Sequence, residues 1–440
     1  MHSKIILWSV VSALAGFLFG FDTVVISGAE RTIQQLWGLS PALHGVAMAA
    51  ALYGTVLGSL VGGWPTDKWG RRPTLISIGL LYFLSAVWSG LAGDVWSFIV
   101  ARFIGGLGVG ISTVAAPLYI AEISPPSARG RLAGMFQFNI VFGILVAFVS
   151  NYFLEGIPND WRWMLAAEAL PAAIYTAACL LIPESPRWLL LKGGDDNRIR
   201  ALATLASIDP SAGPEDLTAA AGRIVAASEP VANDRGSLAG VRRPILLAFL
   251  IALFNQLSGI NAVLYFAPRI FEMAGLGEKA ALLQSIGIGI TNLIFTFVGL
   301  WLIDRVGRRT LLVIGSLGYI ISLGLCSWAF ANGVTSIVPA CLFGFIAAHA
   351  VGQGAVIWVF IAEIFPDRFR ATGQAIGCGT HWVMAAALTT VFPAVVTLFP
   401  PSAVFAFFCG MMVLQLVWVL TMVPETKGVP LEELATRLGT

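Results

Sequence analysis

Charge is what this sequence has least of. Of its 440 residues only 11% are Asp, Glu, Lys or Arg, where a water-soluble domain carries about 25%. With 57% hydrophobic residues and a mean hydropathy of +0.83, the shortage excludes a soluble globular domain. A net charge of +2 says nothing by itself about nucleic acid, since what matters is where the charges lie, and no nucleic-acid partner is expected. Cysteine is sparse too. Cys179, Cys326, Cys341, Cys378 and Cys409 are scattered through apolar runs with no C-x-x-C pair and no metal spacing, so they read as small hydrophobes in helix packing. Neither metal nor cofactor is expected. No N-x-[ST] sequon occurs, which favours a bacterial membrane over a glycosylated cell surface. The four histidines (His2, His44, His349, His381) form no visible catalytic constellation. The G-G-L-G-V-G stretch at Gly105–Gly110 lies within an apolar run, where small residues permit close helix packing rather than phosphate binding. An enzyme is not expected.

What the sequence has is long uncharged runs, each enough to cross roughly 30 Å of hydrocarbon as a helix. Twelve spans can be read, at 5–28, 44–64, 73–92, 95–121, 132–154, 160–182, 244–268, 281–303, 310–330, 335–362, 371–399 and 402–423. The first is too long for a signal-peptide core and has no small-residue cleavage site followed by a soluble domain. One long polar segment, Glu184 to Arg243, separates the sixth and seventh spans, with room for two or three short amphipathic helices. With the N-terminus placed in the cytoplasm, 21 Lys and Arg fall in inner loops and tails. Four fall outside (Arg31, Arg162, Arg269, Lys279), and Arg102 sits inside a span. The positive-inside rule then sets both termini in the cytoplasm of a cell membrane.

The chain also repeats. D-K-W-G-R-R at Asp67–Arg72 returns as D-R-V-G-R-R at Asp304–Arg309, an offset of 237, and Y-I-A-E-I at Tyr119–Ile123 returns as F-I-A-E-I at Phe360–Ile364, an offset of 241. Arg129 and Arg370 keep the second offset, as do Pro183-Glu184 and Pro424-Glu425. The expected architecture is all-α: twelve transmembrane helices in two six-helix halves, 1–183 and 244–424, joined by a helical linker at 184–243 and followed by a tail at 425–440. A parallel repeat places a substrate site between halves near the midplane, with one half rocking against the other. In each half an aspartate, a glycine and an Arg-Arg pair meet a later Glu, Arg and Pro-Glu. The spacing suits a salt-bridge network in which Glu122, Glu184, Glu363 and Glu425 accept from Arg71, Arg129, Arg308 and Arg370, with Asp67 and Asp304 beside them. Such a network is expected to latch the inner side, since only several pairs together bias two states.

R-F-I-G-G-L-G-V-G (Arg102–Gly110), P-E-S-P-R-W-L (Pro183–Leu189), Q-L-S-G-I-N (Gln256–Asn261) and P-E-T-K-G (Pro424–Gly428), with D-x-x-G-R-R twice, resemble the sugar porter family of the major facilitator superfamily from the first span to the last. The resemblance implies a small intracellular helical domain in the polar segment and one more helix at Leu431–Leu438.

A sugar site needs neutral hydrogen-bonding groups for hydroxyls and aromatic faces for the ring's C–H surface. The spans supply Phe19, Gln137, Asn255, Gln256, Asn261, Asn292, Trp358, His381 and Trp382, with Ser258-Gly259 a place where the seventh helix can unwind. Gln137, Gln256, Asn261, Asn292, Trp358 and Trp382 fall where, by the resemblance, the porters hydrogen-bond or stack on sugar. The sequence departs from the family pattern in four places. Asn255 stands where the first of two glutamines is usual, His381 where Gln or Asn is common, and Ile144 where some xylose carriers have Gln. Gly354 lacks its usual following proline.

Three charged residues lie inside spans: Asp22, Arg102 and Glu168. Each is six to eight residues from the outer end of its helix, roughly 10 Å deep at 1.5 Å per residue. A lone charge at mid-bilayer costs at least about 2.5–3.5 kcal/mol, so pairing is expected, either as a permanent Asp22–Arg102 brace or as a proton switch. The resemblance favours the switch, because proton-coupled porters carry aspartate in F-G-[YF]-D where animal facilitators carry asparagine. Glu168 is common to both. The expectation is a monomeric sugar:proton symporter whose partners are a monosaccharide (hexose or pentose), the proton and membrane lipid. The alternatives are a uniporter of the same fold or a non-transporting sensor, the latter disfavoured because only 16 residues follow Pro424.

Overall fold

In hydrocarbon every backbone polar group must be satisfied within its own segment, so apolar runs of this length become helices. The computed structural model of the chain describes residues 3–125, 129–226, 241–366, 369–429 and 438. Among these, eleven helices are long and apolar enough to cross a membrane. The twelfth crossing, the sixth in order, is in two pieces, Asp160–Ala166 and Ala169–Cys179. Pro171 has no N–H for the Ala167 carbonyl, so the ladder breaks there, and the first unit past it is Ala172 N–H on the Glu168 carbonyl at 3.0 Å.

The first span, Ser3–Leu36, continues eight residues beyond the apolar run that marks it in the sequence and carries Glu30 and Arg31 out past its greasy part. The second to fifth spans are Pro41–Val61, Arg71–Leu91, Val95–Ile123 and Arg129–Leu154. The seventh runs Arg242–Leu257, turns at Ser258-Gly259, and resumes as Ile260–Tyr265 and Ala267–Met273. Gly259 takes φ +88°, a left-handed conformation that glycine alone adopts freely. Pro268 breaks the next turn by the same loss of an N–H. The eighth, ninth, eleventh and twelfth spans are Glu278–Val306, Arg308–Asn332, Arg370–Leu398 and Pro401–Met422. The tenth joins Val338–His349 to Ala355–Ile364 through a π-helical turn, Ala350–Gly354. No sequence signal announced it, and no proline lies in the turn to account for it. Gln353 in that turn donates to Gln415 at 2.9 Å, and Gln415 donates to Ser316 at 2.8 Å, tying the tenth, twelfth and ninth spans with buried amides.

Lipid tails are as apolar as leucine, so helices associate through close packing and hydrogen bonds rather than through exclusion of water. The first and fifth spans show this. A β-carbon on Gly20 would sit 1.9 Å from the Ile140 carbonyl oxygen, and one on Gly143 would sit 2.1 Å from that of Phe17. Within the N-terminal half the second and fourth spans pack as tightly; across halves the first meets the seventh, the second the eleventh and the fifth the eighth. The polar segment carries helices Pro186–Lys192, Asp195–Ile208 and Pro214–Ala226. Of the tail helix at Leu431–Leu438, all but the last residue lies outside the described residues.

Candidate functional site

One cavity of about 440 Å³ lies between the halves. All nine neutral and aromatic residues singled out by sequence line it: Phe19, Gln137, Asn255, Gln256, Asn261, Asn292, Trp358, His381 and Trp382. The unwound turn at Gly259 explains how one helix presents three amides together. Gln256 is fully buried and held on both sides. Its Nε2 donates to Asn255 Oδ1 at 3.0 Å and lies 3.3 Å from the His381 ring, while its Oε1 accepts from Asn261 Nδ2 at 2.7 Å. Trp358 and His381 are 5.2 Å apart between ring centroids, His381 and Trp382 4.8 Å, and Trp382 and Phe19 5.6 Å. An aromatic wall thus runs from one half to the other, with hydrogen-bonding groups beside it: a surface suited to a neutral, polyhydroxylated ring.

Sequence missed several polar members of this lining, among them Thr23, Thr113, Thr296, His349 and Gln374. Two were findable: Thr296 follows Asn292 by one helical turn and Gln374 precedes His381 by two, so each pair shares a face. His349 both packs and faces the ligand space: its Nδ1 lies 2.6 Å from the Tyr319 hydroxyl while the residue also lines the cavity.

Asp22, Arg102 and Glu168 come together but do not line the cavity. All three are 1% exposed. Arg102 Nη1 donates to Asp22 Oδ1 at 2.5 Å, and Nη2 donates to the Asp22 backbone oxygen at 2.9 Å and to Oδ2 at 3.3 Å. Glu168 is near enough to interact with both, yet neither of its carboxylate oxygens accepts a hydrogen bond. Asp22 thus holds the guanidinium, with the second carboxylate inside its electrostatic reach, while Phe19 and Thr23, on the same helix as Asp22, line the cavity. Tyr265, from the opposite half, also lies within electrostatic reach of Asp22 and Arg102.

The D-x-x-G-R-R motifs gather at one end of the bundle. Arg71 forks onto Glu122 at 2.9 and 2.8 Å and adds Asp67 at 3.1 Å. Arg308 forks onto Glu363 at 3.1 and 2.7 Å and adds Asp304 at 3.0 Å. Each of these bidentate pairs stays within one half. The sequence-based pairing needs correcting for the other two carboxylates. Glu184 accepts from the backbone N–H groups of Arg71 and Arg72 at 3.0 and 3.3 Å, and Glu425 from those of Arg308 and Arg309 at 2.9 and 3.1 Å. They cap the helices that begin at Arg71 and Arg308, whose first N–H groups have no partner of their own. Gly70 and Gly307 make room, at φ +105° and +101°, since a β-carbon on either would come within 2.3–2.5 Å of the capping oxygen. Burial pushes the Glu184 carboxyl above its ordinary value, against the backbone N–H groups and Arg71, which hold it down. Arg370 donates Nε to the Ala362 carbonyl at 3.1 Å, and the Arg129 side chain lies outside the described residues.

Comparison with known proteins finds likeness along nearly the whole chain. The family model described as "Sugar (and other) transporter" matches residues 8–438. The chain belongs to that family, the sugar porters of the major facilitator superfamily. The transporter is 34% identical to the arabinose-proton symporter of Bacillus subtilis over 98% of this chain and 94% of that one. It is 33% identical to the D-xylose-proton symporter of Escherichia coli over 97% and 94%. The inward-open structure of the xylose transporter XylE from E. coli superposes with a TM-score of 0.88 at 31% identity, covering 98% of this chain and 99% of that one.

At the end opposite the motifs, the transporter pairs charges differently. Arg31 meets Glu272, Arg269 Nε meets Glu30 Oε1 at 3.3 Å, and Lys279 meets Glu155 Oε2 at 3.3 Å. Each of these joins the two halves. Three of the four basic residues assigned by sequence to outer loops are thus cross-half partners; the fourth, Arg162, donates to the Gly90 carbonyl at 2.8 Å within its own half.

Proposed function

We propose that this transporter is a symporter that imports a neutral monosaccharide together with a proton by alternating access, as a monomer in the cell membrane with the motif end and both termini in the cytoplasm. The excess of Lys and Arg at the motif end supports that orientation. The cavity supports a hexose or pentose: amides for hydroxyls, aromatic faces for C–H surface, and no fixed charge among the residues that line it.

The observation that carries proton coupling is the sealed set of two carboxylates and one guanidinium beside the cavity. With both carboxylates ionised the set holds one uncompensated negative charge in an apolar wall, which costs at least about 2.5–3.5 kcal/mol, so a proton belongs in it. Asp22 is the group to lose and regain it. Ionised, it holds Arg102; protonated, it releases part of that grip. Phe19 and Thr23 transmit its state to the cavity along the same helix, and Tyr265 brings the opposite half within reach. On this proposal the motif clusters brace each half while it rocks, rather than linking one half to the other in this conformation.

Uptake of labelled arabinose, xylose and glucose into proteoliposomes, with and without a pH gradient, tests this. Wild type is expected to accumulate its sugar up to about 50-fold at 100 mV for one coupled charge. Asp22→Asn should bring the inside-to-outside ratio to about one while sugar exchange continues. Sugar entry that leaves the bath pH unchanged and ignores a protonophore would make the Asp22–Arg102 pair a structural brace and the protein a facilitative uniporter.

A further inference from the structure

The end opposite the motifs contains two buried titratable groups that the coupling mechanism does not use. His44 lies in the first turn of the second span; its side chain is 0% exposed and that of Glu30 2%. His44 Nε2 lies 2.7 Å from Glu30 Oε2, and the other Glu30 oxygen takes Arg269. The remaining ring nitrogen, Nδ1, has no hydrogen-bond partner, and the ring packs edge-on against Phe266. Glu30 and His44 belong to the N-terminal half, Arg269 and Phe266 to the C-terminal half. The cation on Glu30 and the ring against His44 therefore both sit on the half that draws away when this end opens.

We infer that Glu30 and His44 form a second proton site, filled from the outer solution when the outer end opens and emptied when it closes. In the closed arrangement Arg269 neutralises Glu30, and His44 donates Nε2–H to it as a neutral imidazole. A proton on Nδ1 would place a charged N–H with no acceptor in an apolar contact, a costly arrangement. When the outer end opens, Arg269 and Phe266 withdraw, water reaches Nδ1, and Glu30 loses its counterion. An imidazole wetted beside a bare carboxylate can hold a second proton, and His44 then becomes the counterion itself. Arg269 and a proton thus compete for one carboxylate. The proton enters and leaves on the same side, so it moves nothing across the membrane; it makes capture of sugar responsive to outer pH.

The other charged groups near this site are identifiable. Arg31 and Glu272 form the neighbouring pair, and burial pushes the Glu272 carboxyl up while Arg31 pulls it back. The fourth span, packed along the second, has Asp94 at its outer end, accepting from the Trp96 and Ser97 N–H groups, and Arg102 deeper, engaged with Asp22. The eleventh meets this end through Thr390 and Phe392, which do not titrate here.

This inference rests on alternating access and is tested without measuring accumulation. Spin labels at Gln35→Cys and Ala280→Cys, both exposed residues near the outer end, report its opening in nanodiscs from pH 8 to pH 5. The open population is expected to rise on acidification, by up to about tenfold per pH unit within the titration window. His44→Gln, which keeps a donor for Glu30, and Glu30→Gln should both abolish that rise, and Glu272→Gln should keep it. A rise that survives His44→Gln, or vanishes in Glu272→Gln or Asp22→Asn instead, overturns the proposal. Opening driven by added sugar but indifferent to pH would sink this inference and leave the symport mechanism standing; a single distance under every condition would sink both.

Discussion

Arginine serves opposite purposes at the two ends of this bundle. At the motif end, Arg71 and Arg308 each fork onto a glutamate of their own half; at the other end, Arg31 and Arg269 reach glutamates of the other half. The first arrangement braces a unit that moves as one body. The second exists only while the two units touch there. The difference teaches that a charged pair in a transporter cannot be called structural or conformational from its chemistry. What decides is whether both partners travel together.

The largest effect that would break the comparison comes from Gly45, beside His44. A β-carbon there would lie 1.8 Å from the Thr390 carbonyl oxygen of the other half. Gly45→Val should keep the outer end from closing, reduce sugar counterflow to background, and hold outer-end labels at their open distance. Normal counterflow in that variant would mean the halves do not meet as closely as this.

Next comes the brace. Arg71→Ala strands Glu122, whose side chain is 4% exposed, and breaking such a buried pair costs about 3–5 kcal/mol. Arg308→Ala strands Glu363, which at 25% exposure stays partly hydrated, so its loss should be smaller. Thermal unfolding in detergent compares the two. Equal falls in Tm would show that exposure does not set the scale, and a shift in outer-end opening would show that these clusters reach beyond their own halves.

The smallest effect belongs to Lys279→Ala. Its side chain is 63% exposed against 18% for Glu155, and an exposed pair contributes about 0–1 kcal/mol. Unfolding and opening should both stay near wild type. A large change in opening would promote this rim contact to the same rank as Arg269–Glu30.

The cavity was the most legible part of the chain because amides and aromatics chosen for a neutral ligand stand out in apolar helices. Gln256 and Trp358 have few reasons to be there, and Gly259 advertises the turn that gathers the amides. The π-helical turn at Ala350–Gly354 left no trace, since its composition is that of any helix and its support, Gln415, comes from the twelfth span. Glu184 and Glu425 were legible as partners of the arginine motifs, but spacing cannot tell a guanidinium from the backbone N–H of the same residue. The outer pairs were hidden for another reason. Glu30 and Arg31 lie just past the end of an apolar run, where charge is ordinary, and the Arg31–Glu272 contact spans 241 residues.

The reciprocal glycine contact between the first and fifth spans separates stiffness from compliance. The first and fifth spans, which carry Asp22 and Gln137, are locked backbone to backbone, whereas the seventh and tenth, which carry three of the amides and Trp358, are interrupted at Gly259 and at Ala350–Gly354. Substitution in the supple spans can therefore reshape ligand preference while the first and fifth keep their register, which leaves carriers of this kind free to change diet without rebuilding their frame.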